Sequence, residues 1–376
     1  MPPRDPLRDI VGTCAAQICA FSTTILSPLV VGGLIVGLGV SELDAGGLIT
    51  VELLVVGVTS LVLAPWMAKF SRHRLALLGG IVLLAGQLLS ISVTELTLLY
   101  PYRIMAGFGA GVLIATLNTA IARAQAPVLL YGLAWAASYV VTALLAVSMT
   151  AMRDVITYGF VYTWLSGVAL VCLPLLWFVP RYGGNTAEVK FPRENIVTGT
   201  LLMLGLALIG ISMMAYYAFL ERLAVVIGAS AAESGRIVAA VQISGIIGGL
   251  IAAPLANRFS LIRTLVVVTL LHAVAIAAAI ASNQVVILGV AAFLEALLFI
   301  TMVPLMLALS ATIDRQGRWA AAAGGVIVIS TALGPVLGAA LIEELGYVAI
   351  GWLQVVSILA VYLFVRVART SIIIPD

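Results

Sequence analysis

Long apolar stretches, each close to 20 residues and apolar on every side, follow one another along almost the whole chain, separated by short polar breaks. That length matches the ~20 residues a helix needs to cross the hydrocarbon core of a bilayer. Twelve spans are predicted, at about residues 11–37, 45–68, 75–94, 97–122, 127–151, 155–179, 196–220, 233–256, 261–281, 285–311, 319–342 and 346–367. Helices are expected because lipid forces every backbone polar group to find a partner within its own segment. Closed barrels also achieve this, but their strands are short and alternate in polarity.

The pattern contains a duplication. Ala64-Pro65-Trp66-Met67-Ala68-Lys69-Phe70-Ser71-Arg72-His73-Arg74 returns as Ala253-Pro254-Leu255-Ala256-Asn257-Arg258-Phe259-Ser260-Leu261-Ile262-Arg263, 189 positions later. At the same offset Gly39 matches Gly228, Ser41 matches Ser230, Asp44 matches Glu233 and Gly46 matches Gly235. A turn, an apolar helix and a basic loop therefore recur in register, the signature of an internal repeat. The expected fold class is an all-α polytopic membrane protein, with twelve transmembrane helices in two pseudo-symmetric six-helix halves. The N-terminal half is assigned to 1–180, a cytoplasmic linker to 181–195 and the C-terminal half to 196–376.

Composition supports the same class. The chain is 63% hydrophobic and 9% charged, against roughly 25% charged in soluble domains. Too few charges exist to coat a surface in water. The net charge of +3 reads as a topology signal and not as a nucleic-acid footprint. With both termini in the cytoplasm, nearly all bases fall on that side, and only Arg103, Arg153, Arg222 and Arg236 lie on or near the other. This bias fixes orientation. A multi-pass protein of the cell (inner) membrane, monomeric, is expected. Cys14, Cys19 and Cys172 all lie in apolar runs, where they act as small hydrophobes. No nucleotide-binding GxxxxGK[ST], no HExxH and no Cys/His ligand cluster occurs, so no cofactor, metal or enzymatic activity is expected.

Small residues and prolines mark packing points. Gly107 with Gly111, and Gly245 with Gly249, form GxxxG pairs of the kind that let helix backbones approach in lipid. Pro28 is expected to kink the first span, with the Ser27 hydroxyl in position to satisfy a freed carbonyl. Gly334-Pro335-Val336-Leu337-Gly338 is a candidate hinge or close-contact point.

Twelve spans, two halves, a central linker and paired basic loops resemble the major facilitator superfamily over essentially the whole chain. Lys69, Arg72 and Arg74 match the bases of that family's loop motif, and Arg258 and Arg263 match in the second copy. Ala64 and Ser71 replace the usual glycines, Ala68 replaces the acid, and Asn257 stands in the acid's place in the second loop. The fourth-span motif R-x-x-x-G-x-G is kept as Arg103-Ile104-Met105-Ala106-Gly107-Phe108-Gly109. The Gly-Pro motif of antiporters is absent from the fifth span. The resemblance implies a transporter in which two halves rock about a midplane site, with the basic loops as the cytoplasmic gate.

Charges inside spans are costly and mark function. Glu295 stands in the tenth span with no base nearby in sequence. Burial favours its neutral form, suiting it to take and release a proton. Glu52 in the second span is expected to pair with Arg103, either as a structural clamp or as a proton-coupling pair. His272 is isolated in an apolar helix, where a local hydrogen bond is the expected role. Gln17, Phe21 and Thr24 on the first span share a face, and Tyr131, Trp135 and Tyr139 form a stripe on the fifth. With Tyr217 and Gln242, these are candidates to line a substrate cavity, packing being the alternative for the stripe.

The expected function is proton-coupled secondary transport of a small organic solute, amphipathic or cationic, by alternating access, with efflux the expected direction. Uptake or facilitated exchange of a metabolite anion bound at Arg103, and a non-transporting membrane scaffold or sensor, are the alternatives. The expected partners are a small-molecule substrate, protons and the lipid bilayer.

Overall fold

The computed structural model describes residues 6–63, 70–121, 127–180, 196–259, 261–280, 283–313 and 318–371. The chain divides into two compact units, Met1–Ala187 and Glu188–Asp376. Lys69 and the linker assigned to 181–195 lie outside the described residues.

The first unit holds α1 (Leu7–Ile25), α2 (Ser27–Leu38), α3 (Glu42–Leu63), α4 (Arg72–Ser90), α5 (Leu96–Ile121), α6 (Pro127–Met152) and α7 (Tyr158–Cys172), the last continued by a 3-10 segment, Leu173–Phe178. The second holds α8 (Ile196–Ala218), α9 (Leu220–Val226), α10 (Ala231–Arg258), α11 (Leu261–Ile280), α12 (Val285–Ile313), α13 (Arg318–Leu345) and α14 (Val348–Ser371). Among the described residues ten helices are long and apolar enough to cross a membrane, and α1 with α2, bent by 47°, is long and apolar enough as a pair. The twelfth expected span is α14, whose apolar part is Val348–Phe364. Leu250, Val274, Val290 and Val356 are exposed on these helices, a surface suited to lipid rather than water.

The bend falls where the sequence places it. Pro28 sits in the first turn of α2 and Leu26 interrupts the helix. The Ser27 hydroxyl is buried without a hydrogen-bond partner, so it does not satisfy a freed carbonyl as expected. The Leu26 N–H instead donates to the Ser22 carbonyl at 2.9 Å. The first span of the second unit is also interrupted, at Phe219 between α8 and α9.

The two units use the same neighbours. In the first, α5 packs on α3 and α4, α6 packs on α1, and α7 packs on α4 and α1. In the second, α12 packs on α10 and α11, α13 packs on α8, and α14 packs on α11 and α8. Each unit closes its own apolar core, one around Leu83, Leu113 and Leu117, the other around Leu206, Met302 and Met306.

The repeat extends to backbone detail. Gly39 (φ 65°) and Gly228 (φ 92°) both adopt the left-handed conformation that glycine tolerates best. Two residues on, Ser41 accepts from the Asp44 N–H at 3.1 Å and Ser230 accepts from the Glu233 N–H at 3.3 Å. These caps start α3 and α10. The second is a full capping box, with the Ser230 N–H donating to Glu233 at 2.8 Å.

Glycines set the helix separations. A Cβ on Gly107 would lie 2.6 Å from the Glu52 carbonyl oxygen, and one on Gly111 would lie 2.7 Å from that of Val56, so this pair presses α5 onto α3. Gly109 faces the other way, where its Cβ would meet the Leu83 amide and the Gly79 carbonyl of α4. In the second unit the close approach of α10 to α12 is made by Gly248, against the Leu297 carbonyl. Gly249 of the expected GxxxG pair makes only ordinary contact there. Gly334 and Gly338 press α13 onto α8 at Ile211, Met214 and Ala215, the close-contact role expected of that motif.

Candidate functional site

In the first unit, the packing of Gly107 on α3 brings Glu52 against Arg103. Arg103 grips the carboxylate with two donors, Nε to Oε2 at 2.9 Å and Nη2 to Oε1 at 2.5 Å. Its Nη1 donates to the Ser90 hydroxyl at 3.3 Å, which in turn donates to the Gly86 carbonyl at 2.7 Å. The guanidinium lies 4.3 Å from the centroid of the Tyr162 ring. Arg103 is wholly buried and Glu52 nearly so. Four helices, α3, α4, α5 and α7, thus converge on one guanidinium. Such a group stays protonated in proteins and fits a carboxylate bidentately, so this is a fixed, neutralised pair.

In the second unit, Glu295 on α12 points into the seam with α11 and α14. His272 Nε2 stands 3.3 Å from Glu295 Oε1, and Gln354 Nε2 donates to the same oxygen at 2.5 Å. All three are buried. Glu295 is therefore not without a base: His272, distant in sequence, meets it in space. The helices involved correspond, span for span, to α5, α4 and α7 around Arg103. At the 189-residue offset Arg103 matches Ala292 and Tyr162 matches Gly351, so Glu295 and Gln354 each sit about one turn further along. The same station thus holds a guanidinium–carboxylate pair in one unit and an acid–imidazole pair in the other. The His272 Nδ1 and Gln354 Oε1 atoms have no hydrogen-bond partner, so the cluster retains unused donor and acceptor capacity.

No family model matches the chain, and no curated protein matches it. Solved structures do match along nearly its full length. A bacterial homolog of the human lysosomal transporter Spinster, inward-facing and occupied, superposes with a TM-score of 0.72 at 13% identity, covering 96% of each chain. A variant of the nucleoside transporter NupG gives 0.72 at 10% identity, over 96% of this chain and 98% of that one. The major facilitator superfamily transporter FucP, in the outward conformation, gives 0.65 at 15% identity, over 96% and 98%. The chain has the major facilitator superfamily fold.

Within this major facilitator fold the predicted cavity residues distribute unevenly. Phe21 of α1 meets Trp135 of α6 at 4.7 Å between ring centroids, and Trp135 stacks on Tyr139 at 5.7 Å. Two stripes read separately in the sequence form one half-buried aromatic cluster. Thr24 is half-buried close by in sequence on α1, and Gln17 is buried with its amide nitrogen unpartnered. The Tyr131 side chain lies outside the described residues. Tyr217 is half-buried, whereas Gln242 is wholly buried in α10 with both amide atoms unpartnered. Of the bases expected to form the gate, Arg74, Arg258 and Arg263 are exposed, but Arg72 is buried inside the first unit. His73 beside it packs edge-on against Trp177 at 4.8 Å.

Sequence reasoning paired Glu52 with Arg103 but assigned no function to His272 and did not consider Gln354, Ser90 or Tyr162. One signal was available: His272 and Glu295 are the ionisable residues in the interiors of two consecutive spans, and consecutive spans pack as neighbours.

Proposed function

We propose that this chain is a secondary active transporter that moves a small organic solute by alternating access, with proton movement coupled through Glu295 and His272. The observation that carries the reading is the Glu295–His272–Gln354 cluster, buried at 3.3 Å and 2.5 Å in a fold whose solved neighbours are transporters. A buried carboxyl beside an imidazole can hold the proton between them in two ways: as an ion pair, or as a neutral acid and neutral base. Imidazole is the side chain that changes charge near neutrality. Proton gain or loss there alters what holds α12 against α11 and α14, linking protonation to helix position.

The solute class we favour is an amphipathic or cationic compound, exported from the cell. The Phe21–Trp135–Tyr139 cluster supports it, since aromatic faces attract desolvated organic cations. Glu52 and Arg103 act in this reading as the clamp of the first unit, and Lys69, Arg72, Arg74, Arg258 and Arg263 as the basic gate of an inner-membrane protein with both termini cytoplasmic. An anionic metabolite bound at Arg103 would have to displace Glu52 from both donors of a fully buried guanidinium, which counts against the uptake alternative.

The test is reconstitution of the full chain in liposomes carrying an internal pH dye, with the lipophilic cation tetraphenylphosphonium added under an imposed proton gradient. Solute-dependent proton movement is expected, and Glu295→Gln should abolish it. The same movement in the variant removes Glu295 from the mechanism, and no solute flux at all favours a scaffold or sensor.

A further inference from the structure

We infer that the Glu295 cluster exchanges its proton through a cavity of the second unit, with Tyr216 as the relay between cavity and carboxyl. This inference rests on the proton-coupled reading above and names the route that the proton takes.

A cavity of about 150 Å³ is lined by Tyr216 of α8, Leu223 and Val226 of α9, Ala279 of α11, Leu288 of α12, and Gly351 of α14, among others. Three of these positions stand in register with the cluster. Ala279 lies seven residues after His272, Leu288 seven before Glu295, and Gly351 three before Gln354. Positions three or seven apart share a helix face. Consecutive spans run in opposite directions, so +7 on α11 and −7 on α12 lead the same way along the bundle. All three helices that hold the cluster therefore open onto the cavity about one to two turns, or roughly 5–10 Å, from it.

Tyr216 joins the two. Its ring lines the cavity, it is 2% exposed, and it lies within electrostatic range of Glu295. Its hydroxyl is buried with no hydrogen-bond partner, an expensive condition unless the group serves a partner that comes and goes. With Asn283 and Tyr347 also on the lining, the cavity offers polar partners and volume for several water molecules. The titratable groups facing Glu295 are His272 from α11 and Tyr216 from α8, while α14 brings the uncharged Gln354. The other helices packed on α12, α10 and α13, carry their described charges only near their ends, at Glu233, Arg236, Arg258, Glu343 and Glu344. No bond is made or broken except O–H. A proton passes from water to the tyrosine oxygen as the phenolic proton passes to the carboxylate, and rotation of the hydroxyl resets the relay.

The test uses infrared spectroscopy of the purified full chain in lipid at acidic pH. The band of the protonated Glu295 carboxyl is assigned by its loss in Glu295→Gln, and its shift is followed after a jump into D2O. Ala279→Leu and Leu288→Phe, which fill the cavity from two sides, and Tyr216→Phe, which keeps the ring, should each slow exchange about tenfold at an unchanged titration midpoint. Exchange at the native rate in the folded variants, or a spectrum with no Glu295-dependent band, overturns the proposal. The transport reading fails separately. Coupled proton movement that survives Glu295→Gln removes the coupling role and leaves the exchange result standing, whereas native exchange in the cavity variants removes the route and leaves the coupling role standing.

Discussion

Gln354 and His272 converge on a single oxygen of Glu295, the amide at 2.5 Å and the imidazole at 3.3 Å. Removing that oxygen strands two buried polar groups at once, and an unmade buried hydrogen bond costs about 1–3 kcal/mol. Glu295→Ala should therefore lower the thermal midpoint in detergent clearly. Glu295→Gln, which keeps an acceptor oxygen in place, should lower it much less. Equal losses in the two variants would show that the acceptor is not what holds α11 and α14 to α12.

The Arg103–Glu52 pair is the harder test of burial. Breaking a buried ion pair from one side leaves an uncompensated charge, at about 3–5 kcal/mol. Glu52→Leu and Arg103→Leu should each destabilise strongly, and the double variant should recover much of the loss. A double-mutant cycle with no coupling would contradict the clamp.

Glycine contacts separate packing from propensity. A Cβ at Gly109 would meet the backbone of Leu83 and the Gly79 oxygen, the latter at 2.5 Å, whereas a Cβ at Gly132 meets nothing within 4 Å. Gly109→Ala should push α5 away from α4 and sharply reduce the yield of folded protein. Gly132→Ala should be neutral or stabilising by up to about 1 kcal/mol, as alanine favours helix. Matching stabilities from unfolding curves of the two variants would refute the backbone contact.

The duplication was legible because its markers are local. Gly39 with Ser41 and Gly228 with Ser230 make the same left-handed turn and cap, and such turns are written in adjacent residues. The bent first span was legible in Pro28 for the same reason. Glu52 with Arg103 could be read as well, since a charge in lipid needs a partner and one lay at the matching depth. The Glu295 partners could not, because His272 and Gln354 lie 23 and 59 residues away and no spacing rule links three separate helices. The burial of Arg72 could not be read either, for a related reason. Its loop motif marks a helix end, but which of its bases turns inward depends on packing that a motif does not encode.

The guanidinium clasp on Glu52 and its acid–imidazole counterpart beside Gln354 give the protein's two copies different temperaments. Under the proposed mechanism the second copy is the one that answers to protons while the first only holds its helices together. Grafting the arginine–carboxylate pair into the second copy, in place of Glu295 and His272, is then expected to give a chain that folds and no longer couples.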